Sequence, residues 1–191
     1  MKRIFQITAF TLAAALCLVL TACGGQSSGG SGSSAAGPHT IQEYTDAIKN
    51  ARSDEDNEYG DVIAREKDGA PTYTHNPSAL TDEDAAGQIP YMLEMLGVTD
   101  DALDAYAISM SLMNVRAYAV GIFRPAEGQA ETVQAGLESY VKLQQQSFEQ
   151  YLEDQYEIAK AAKIETLPSG EIVLVMSEGG DDVLTKIKEA L

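Results

Sequence analysis

The sequence predicts an α+β domain, a two-layer sandwich in which a mainly antiparallel four-stranded sheet is packed by a long helix and a C-terminal helix. Three observations carry that expectation. Residues 105–124 alternate with period two on either side of a turn, as a half-buried hairpin does. Val133, Leu137, Tyr140, Val141, Gln144, Phe148 and Leu152 recur at helical spacing. Ile164 to Leu167 and Glu171 to Met176 flank the turn residues Pro168, Ser169 and Gly170, a second hairpin pattern. The chain has 191 residues, of which 45% are hydrophobic, enough for one core.

The first 22 residues open with Lys2 and Arg3 and continue through an apolar run ending at Leu20, the pattern of a secretory leader. The run is short of the ~20 residues a membrane span needs. Leu20, Thr21, Ala22 and Cys23 resemble the lipobox of bacterial lipoproteins. That resemblance implies cleavage between Ala22 and Cys23, and a lipid attached to the Cys23 sulfur. Residues 23–39 are then a lipidated cysteine and a tether of Gly, Ser and Ala, a composition that behaves as flexible coil. Such a stretch has a root-mean-square reach of about 20 Å. His39 at its end is expected to be solvated. Residues 40–191 are expected to form a single domain.

Thr40 and Glu43 read as a capping box opening a helix with Ile41, Tyr44, Ile48 and Ala51 near one face. Between Ser53 and Leu80 the chain has little apolar periodicity, so loops are expected, with a strand near Val62 and Ile63. Acidic residues 53–61 are expected to form a solvated, mobile loop. Thr81 to Asp84 favour a helix start, and Ile89, Met92, Leu93 and Leu96 give an amphipathic helix from about Ala85 to Leu96, closed by Gly97. Pro90 places its regular part from about Ile89, because proline is easy only in the first turn. Thr99, Asp100 and Asp101 cap one further turn.

In the first hairpin, Tyr106, Ile108, Met110 and Leu112 oppose Ala105, Ala107, Ser109 and Ser111. In its second strand Tyr118, Val120 and Ile122 oppose Ala117, Ala119 and Gly121. The two large-residue faces are expected to coincide beneath the long helix, Ala130 to Leu152. A shorter helix, Gln155 to Ala162, precedes the second hairpin, whose last strand, Ile172 to Met176, is apolar enough to be central. Asp181 or Asp182 is expected to cap a last helix carrying Val183, Leu184, Ile187 and Leu191 on one side. The order after the N-terminal helices is ββααββα.

The runs AYAISMSLMNVRAYAVGIFR (105–124), SFEQYLEDQYEIA (147–159) and EIVLVMS (171–177) are similar to the domain-of-unknown-function family 4358. The resemblance covers about Ile89 to Leu191. It implies a lipoprotein of Gram-positive bacteria, and it implies no catalytic residue, cofactor or ligand.

Chemistry is constrained by what the chain lacks. Thirteen basic and 29 acidic residues give a formal charge of -16, which repels phosphate backbones and anionic lipid heads. Nucleic acid is therefore not an expected partner, and membrane attachment is expected through the lipid. Both cysteines, Cys17 and Cys23, lie at the N-terminus, leaving the domain without a disulfide or a cysteine-based metal site. His75 is the one histidine of the domain beyond the tether, in a proline-flanked loop, and no Ser-x-x-Lys or Gly-x-Ser-x-Gly pattern accompanies it. A calcium loop starting at Glu55 would set Asn57, Gly60 and Glu66 at the third, sixth and twelfth positions. It fails at the fifth, where Tyr59 replaces a short oxygen ligand. Tyr140, Phe148, Tyr151 and Tyr156 fall at helical spacing, so core or half-core places are expected for them. No metal and no cofactor are expected. The expected role is a non-enzymatic, membrane-anchored binding or interaction module on the extracytoplasmic face, with an unknown protein or small-molecule partner. The alternative is an accessory solute-binding lipoprotein of a transporter, and the third choice is a cell-envelope hydrolase.

Overall fold

The computed structural model describes residues 38–74 and 82–191. The elements are α1 (Ile41–Ala51), α2 (Asp54–Tyr59), β1 (Ile63–Glu66), β2 (Thr72–Tyr73), α3 (Asp82–Met95), β3 (Leu103–Met110), β4 (Ala119–Pro125), α4 (Ala130–Phe148), α5 (Glu153–Lys160), β5 (Lys163–Thr166), β6 (Ile172–Met176) and α6 (Gly180–Ala190). A short 3-10 turn, Asp100–Ala102, leads into β3.

The α+β class and the antiparallel pairing are as expected, and the sheet is larger than expected. It has six strands in the order β2-β1-β3-β4-β6-β5. The two additional strands, β1 and β2, pair antiparallel beside β3, so the hairpin β3–β4 lies at the centre. Helices cover both faces. One core joins α3, α4 and α5 to Tyr106, Ile108, Phe123 and Leu174; the other joins α1 and α6 to Ala107, Val120, Ile122 and Val175. The sheet is therefore the middle of three layers, where two had been expected.

This corrects the arrangement of the central hairpin. Tyr106 faces Phe123, Ile108 faces Gly121, and Met110 faces Ala119, whereas Ala107 faces Ile122 and Ser109 faces Val120. Ile108 and Met110 of β3 thus share a face with Gly121 and Ala119 of β4, while Tyr106 meets Phe123. Because a sheet buried on both sides must fill two cores, large against small on each face keeps both layers at even depth. Phe123 completes the packing: a Cβ on Gly121 would lie 2.7 Å from its ring. Ile122 consequently packs under α1 and α6, away from the long helix.

The capping box at Thr40 forms as expected, with Glu43 N–H donating to Thr40 Oγ1 at 3.2 Å and Thr40 N–H donating to Glu43 Oε2 at 2.6 Å. The acidic segment is not a loop. Ser53 caps α2 by accepting from Asp56 N–H, and Asp54, Glu55 and Asp56 occupy its first turn, where the helix dipole favours negative charge. Asp56 is buried and paired with Arg116. Pro90 lies within α3, whose regular part begins at Asp82. α6 starts from Gly179, with Asp181 and Asp182 in its first turn and no side-chain cap. β6 is an interior strand and wholly buried, as its apolar run implies.

Gly97 and Gly136 set the distance between α3 and α4. Gly97 ends α3 with φ at 67°, in the left-handed region, and its backbone meets Gly136 of α4 so closely that a Cβ on Gly136 would lie 2.3 Å from the Gly97 carbonyl oxygen.

Candidate functional site

Ala22, Cys23 and the tether lie outside the described residues, as does His75. The calcium frame is broken by the fold, since residues 54–59 are helical and Glu66 ends β1. Among the described residues no group of three or more His, Cys, Asp and Glu side chains could hold a metal ion.

Two buried polar nodes tie the α1 layer to the sheet. Arg52, at the end of α1, donates through Nη1 to Ser109 Oγ (2.6 Å) and Tyr118 Oη (3.3 Å), through Nη2 to the Gly60 carbonyl (2.5 Å), and through Nε to Asn57 Oδ1 (2.7 Å). At the other node Glu171, 1% exposed, accepts from Tyr44 Oη at 2.9 Å, with His39 Nδ1 also 2.9 Å away. His39, expected in solvent, is thus fastened at the domain's edge, and Arg124 Nη1 donates to its carbonyl at 3.0 Å. Burial pushes the Glu171 carboxyl upward, but the hydrogen bonds it accepts, from Ser169, His39, its own backbone and Tyr44, outweigh burial and hold it at about 2.

A carboxyl depressed in the folded state stabilises above its ordinary value near 4.5, and that contribution is lost as pH falls towards 2. Glu171→Gln, which keeps an acceptor for Tyr44, should cost about 1 kcal/mol at neutral pH. It should also flatten the loss of melting temperature between pH 4.5 and pH 2.5. Parallel acid limbs for the two proteins in thermal unfolding would refute this role.

A cavity of about 400 Å³ opens between α3 and β1, with Ile89, Leu93 and Val98 as its apolar wall and Arg65 and Asp100 at the rim. Those two are ion-paired at 3.2 Å. Tyr106 lies opposite Arg65 in the sheet register and is buried. Burial, with the Asp100 charge adding and Arg65 opposing, pushes its ionisation up to about 12.

A second feature surrounds the β3–β4 loop, where a groove of about 260 Å³ is lined by Tyr91 and Met95 of α3, Leu112 and Met113 of the loop, and Leu143 of α4, interleaved with the polar Ser111, Asn114, Gln144 and Ser147. Among the described residues five large hydrophobic side chains are exposed: Tyr91 (52%), Met113 (70%), Val115 (60%), Leu143 (56%) and Tyr151 (59%). Three of them line this groove, Val115 belongs to the same loop, and the Tyr151 hydroxyl donates to the Asn114 carbonyl at 2.7 Å. All five therefore gather at one end of the sheet. Burial follows from phase. In α4 the core stripe is Val133, Leu137, Tyr140, Gln144 and Phe148, and Leu143 stands beside it; in α3 Tyr91 stands beside Ile89, Met92, Leu93 and Leu96.

Tyr151 also opens a second groove, of about 460 Å³, whose other lining includes Glu149, Glu153, Tyr156 and Glu157. Two of these lining residues hold Lys160, whose Nζ is 2.8 Å from Glu157 and 5.2 Å from the centre of the Tyr156 ring. Of the expected aromatic stripe, Tyr140 and Phe148 are core and Tyr156 is half-buried; Tyr151 departs from expectation by facing solvent. Sequence reasoning passed over Tyr91, Met113 and Leu143. The available indication was a large apolar residue out of phase with its helix's core stripe or placed in a turn.

In comparisons with known proteins, residues 80–177 match the family described as Domain of unknown function (DUF4358). No curated protein and no solved structure matches. The matched stretch runs from the approach to α3 to the residue after β6, and holds every residue of both grooves. Since it covers just over half of the 191 residues, and supports the resemblance already carried by the central hairpin and β6, the chain belongs to the DUF4358 family.

Proposed function

We propose that this chain is a membrane-anchored extracytoplasmic lipoprotein whose folded domain is a non-enzymatic interaction module, docking a partner protein on the groove around the β3–β4 loop. The observation that carries the docking reading is the gathering of Tyr91, Met113, Val115, Leu143 and Tyr151. Single exposed apolar residues are ordinary, but a contiguous group around a concave surface is a feature of interaction sites. The anchor reading rests on Leu20 to Cys23, and two acyl chains at about 0.8 kcal/mol per buried methylene hold a protein firmly on a bilayer. The cavity beside Tyr106 favours one second reading, an accessory solute-binding lipoprotein, because an apolar wall with a few polar groups at its rim is how small-ligand sites are built.

Two measurements test the proposal. Cys23→Ala should leave the protein as an unprocessed precursor or release it from membranes; membrane-bound protein of mature mass would overturn the anchor. A photo-crosslinker at position 113 should give discrete protein adducts in cells, and Leu143→Asp should abolish them. Adducts unchanged by Leu143→Asp would overturn the docking surface.

A further inference from the structure

The charge beside the apolar groove says what kind of partner fits it, an inference that rests on the docking reading above. Through the Tyr151–Asn114 hydrogen bond the groove around the β3–β4 loop adjoins the second one, whose lining carries Glu149, Glu153 and Glu157. Glu157 is taken by Lys160, while Glu149 and Glu153 have no ion pair among the described residues. Lys160 shows the binding mode this surface offers a cation: its ammonium is held between a carboxylate and the face of a tyrosine ring. Tyr151, the other tyrosine here, is 59% exposed, and no cation among the described residues lies over its ring.

Alternative occupants fare worse. A second copy of a chain with formal charge -16 would bring its own acids against these, and an anionic lipid surface would be repelled in the same way. We infer that the two grooves together take a segment of a partner protein in which a short apolar run is followed by lysine or arginine. The apolar side chains fill the space between Tyr91, Met113 and Leu143, and the basic ones lie along Tyr151, Glu149 and Glu153. Long-range attraction from the acidic surface speeds the encounter, and the apolar groove sets how long it lasts.

The test uses the full chain in nonionic detergent and the fluorescence anisotropy of labelled synthetic peptides. One peptide combines leucine and lysine, a second has the same pattern with glutamate for lysine, and a third has serine for leucine. The leucine–lysine peptide should bind about tenfold more tightly than either of the others, and more weakly as salt rises. Glu149→Lys combined with Glu153→Lys should weaken it about tenfold, with the melting temperature unchanged. Glu189→Lys on α6, remote from the grooves in sequence and equal to either single reversal in charge, should leave the affinity unaltered. Absent binding, equal binding of the three peptides, or an effect of Glu189→Lys equal to that of the groove reversals would overturn the inference. Loss on Leu143→Asp with no effect of the glutamate reversals would refute the basic partner and leave the docking groove standing. Indifference to Leu143→Asp as well would refute both.

Discussion

Gly136→Ala should cost this domain about 3 kcal/mol, the upper part of the range for overpacking a tight interior. The added methyl would meet backbone on every near side: the Gly97 carbonyl oxygen at 2.3 Å, its carbon at 2.8 Å and the Leu96 carbonyl oxygen at 3.2 Å. None of these can rotate aside as a side chain can, so α4 has to move off α3. Tyr91 and Met95 on one helix, and Leu143 on the other, would separate with it, so the groove should widen and the crosslink at position 113 weaken beyond what the lost stability explains. Urea unfolding checks the first part. A change below about 0.5 kcal/mol, the ordinary scatter of surface substitutions, would show that the helices do not meet here.

Ile122→Asp should prevent folding. Ile122 is fully buried, paired with Ala107 and Val173 across the sheet and packed in the core that α1 and α6 cover. The cations of that face, Arg52 and Arg124, are engaged elsewhere, with Ser109 and the Gly60 carbonyl and with the His39 carbonyl, so a carboxylate at this position would be buried without a partner. Its cost of about 5 kcal/mol or more is comparable with the whole stability of a typical domain. Arg124→Ala, two residues along the strand, removes a hydrogen bond to the His39 carbonyl and should cost only about 1 kcal/mol. Far-ultraviolet circular dichroism separates the two, and a folded Ile122→Asp protein with the wild-type melting temperature would refute this placement.

Elements with a long apolar period were legible before the structure: the central hairpin, α4 with its stripe from Val133 to Phe148, and the β5–β6 pair about Gly170. What failed was short or relational. β2 has two residues, too few for alternation to show, and β1, expected as a strand near Val62 and Ile63, gave no sign of joining the sheet beside β3. α2 has no apolar face, and rests on a serine cap, its first-turn acids and the Asp56–Arg116 pair, whose members are far apart in sequence. The face on which Ile122 lies depends on which strand is offset against which, and on a second helical layer whose two members, α1 and α6, come from opposite ends of the domain. The groove was illegible for the same reason: Tyr91, Met113 and Leu143 belong to three separate elements, and only the closed fold brings them together.

The fastening of His39 also gives the domain a direction. Strand β4 starts at Ala119, beside the loop that carries Met113, and ends at the Arg124–Pro125 step, where Arg124 grips the His39 carbonyl. Seven residues at about 3.3 Å each separate those points by about 20 Å. The polypeptide is therefore fastened at the end of β4 opposite the one beside the groove. A pull on the chain upstream of His39 is taken up first by His39, Glu171 and Arg124, before it reaches the strands.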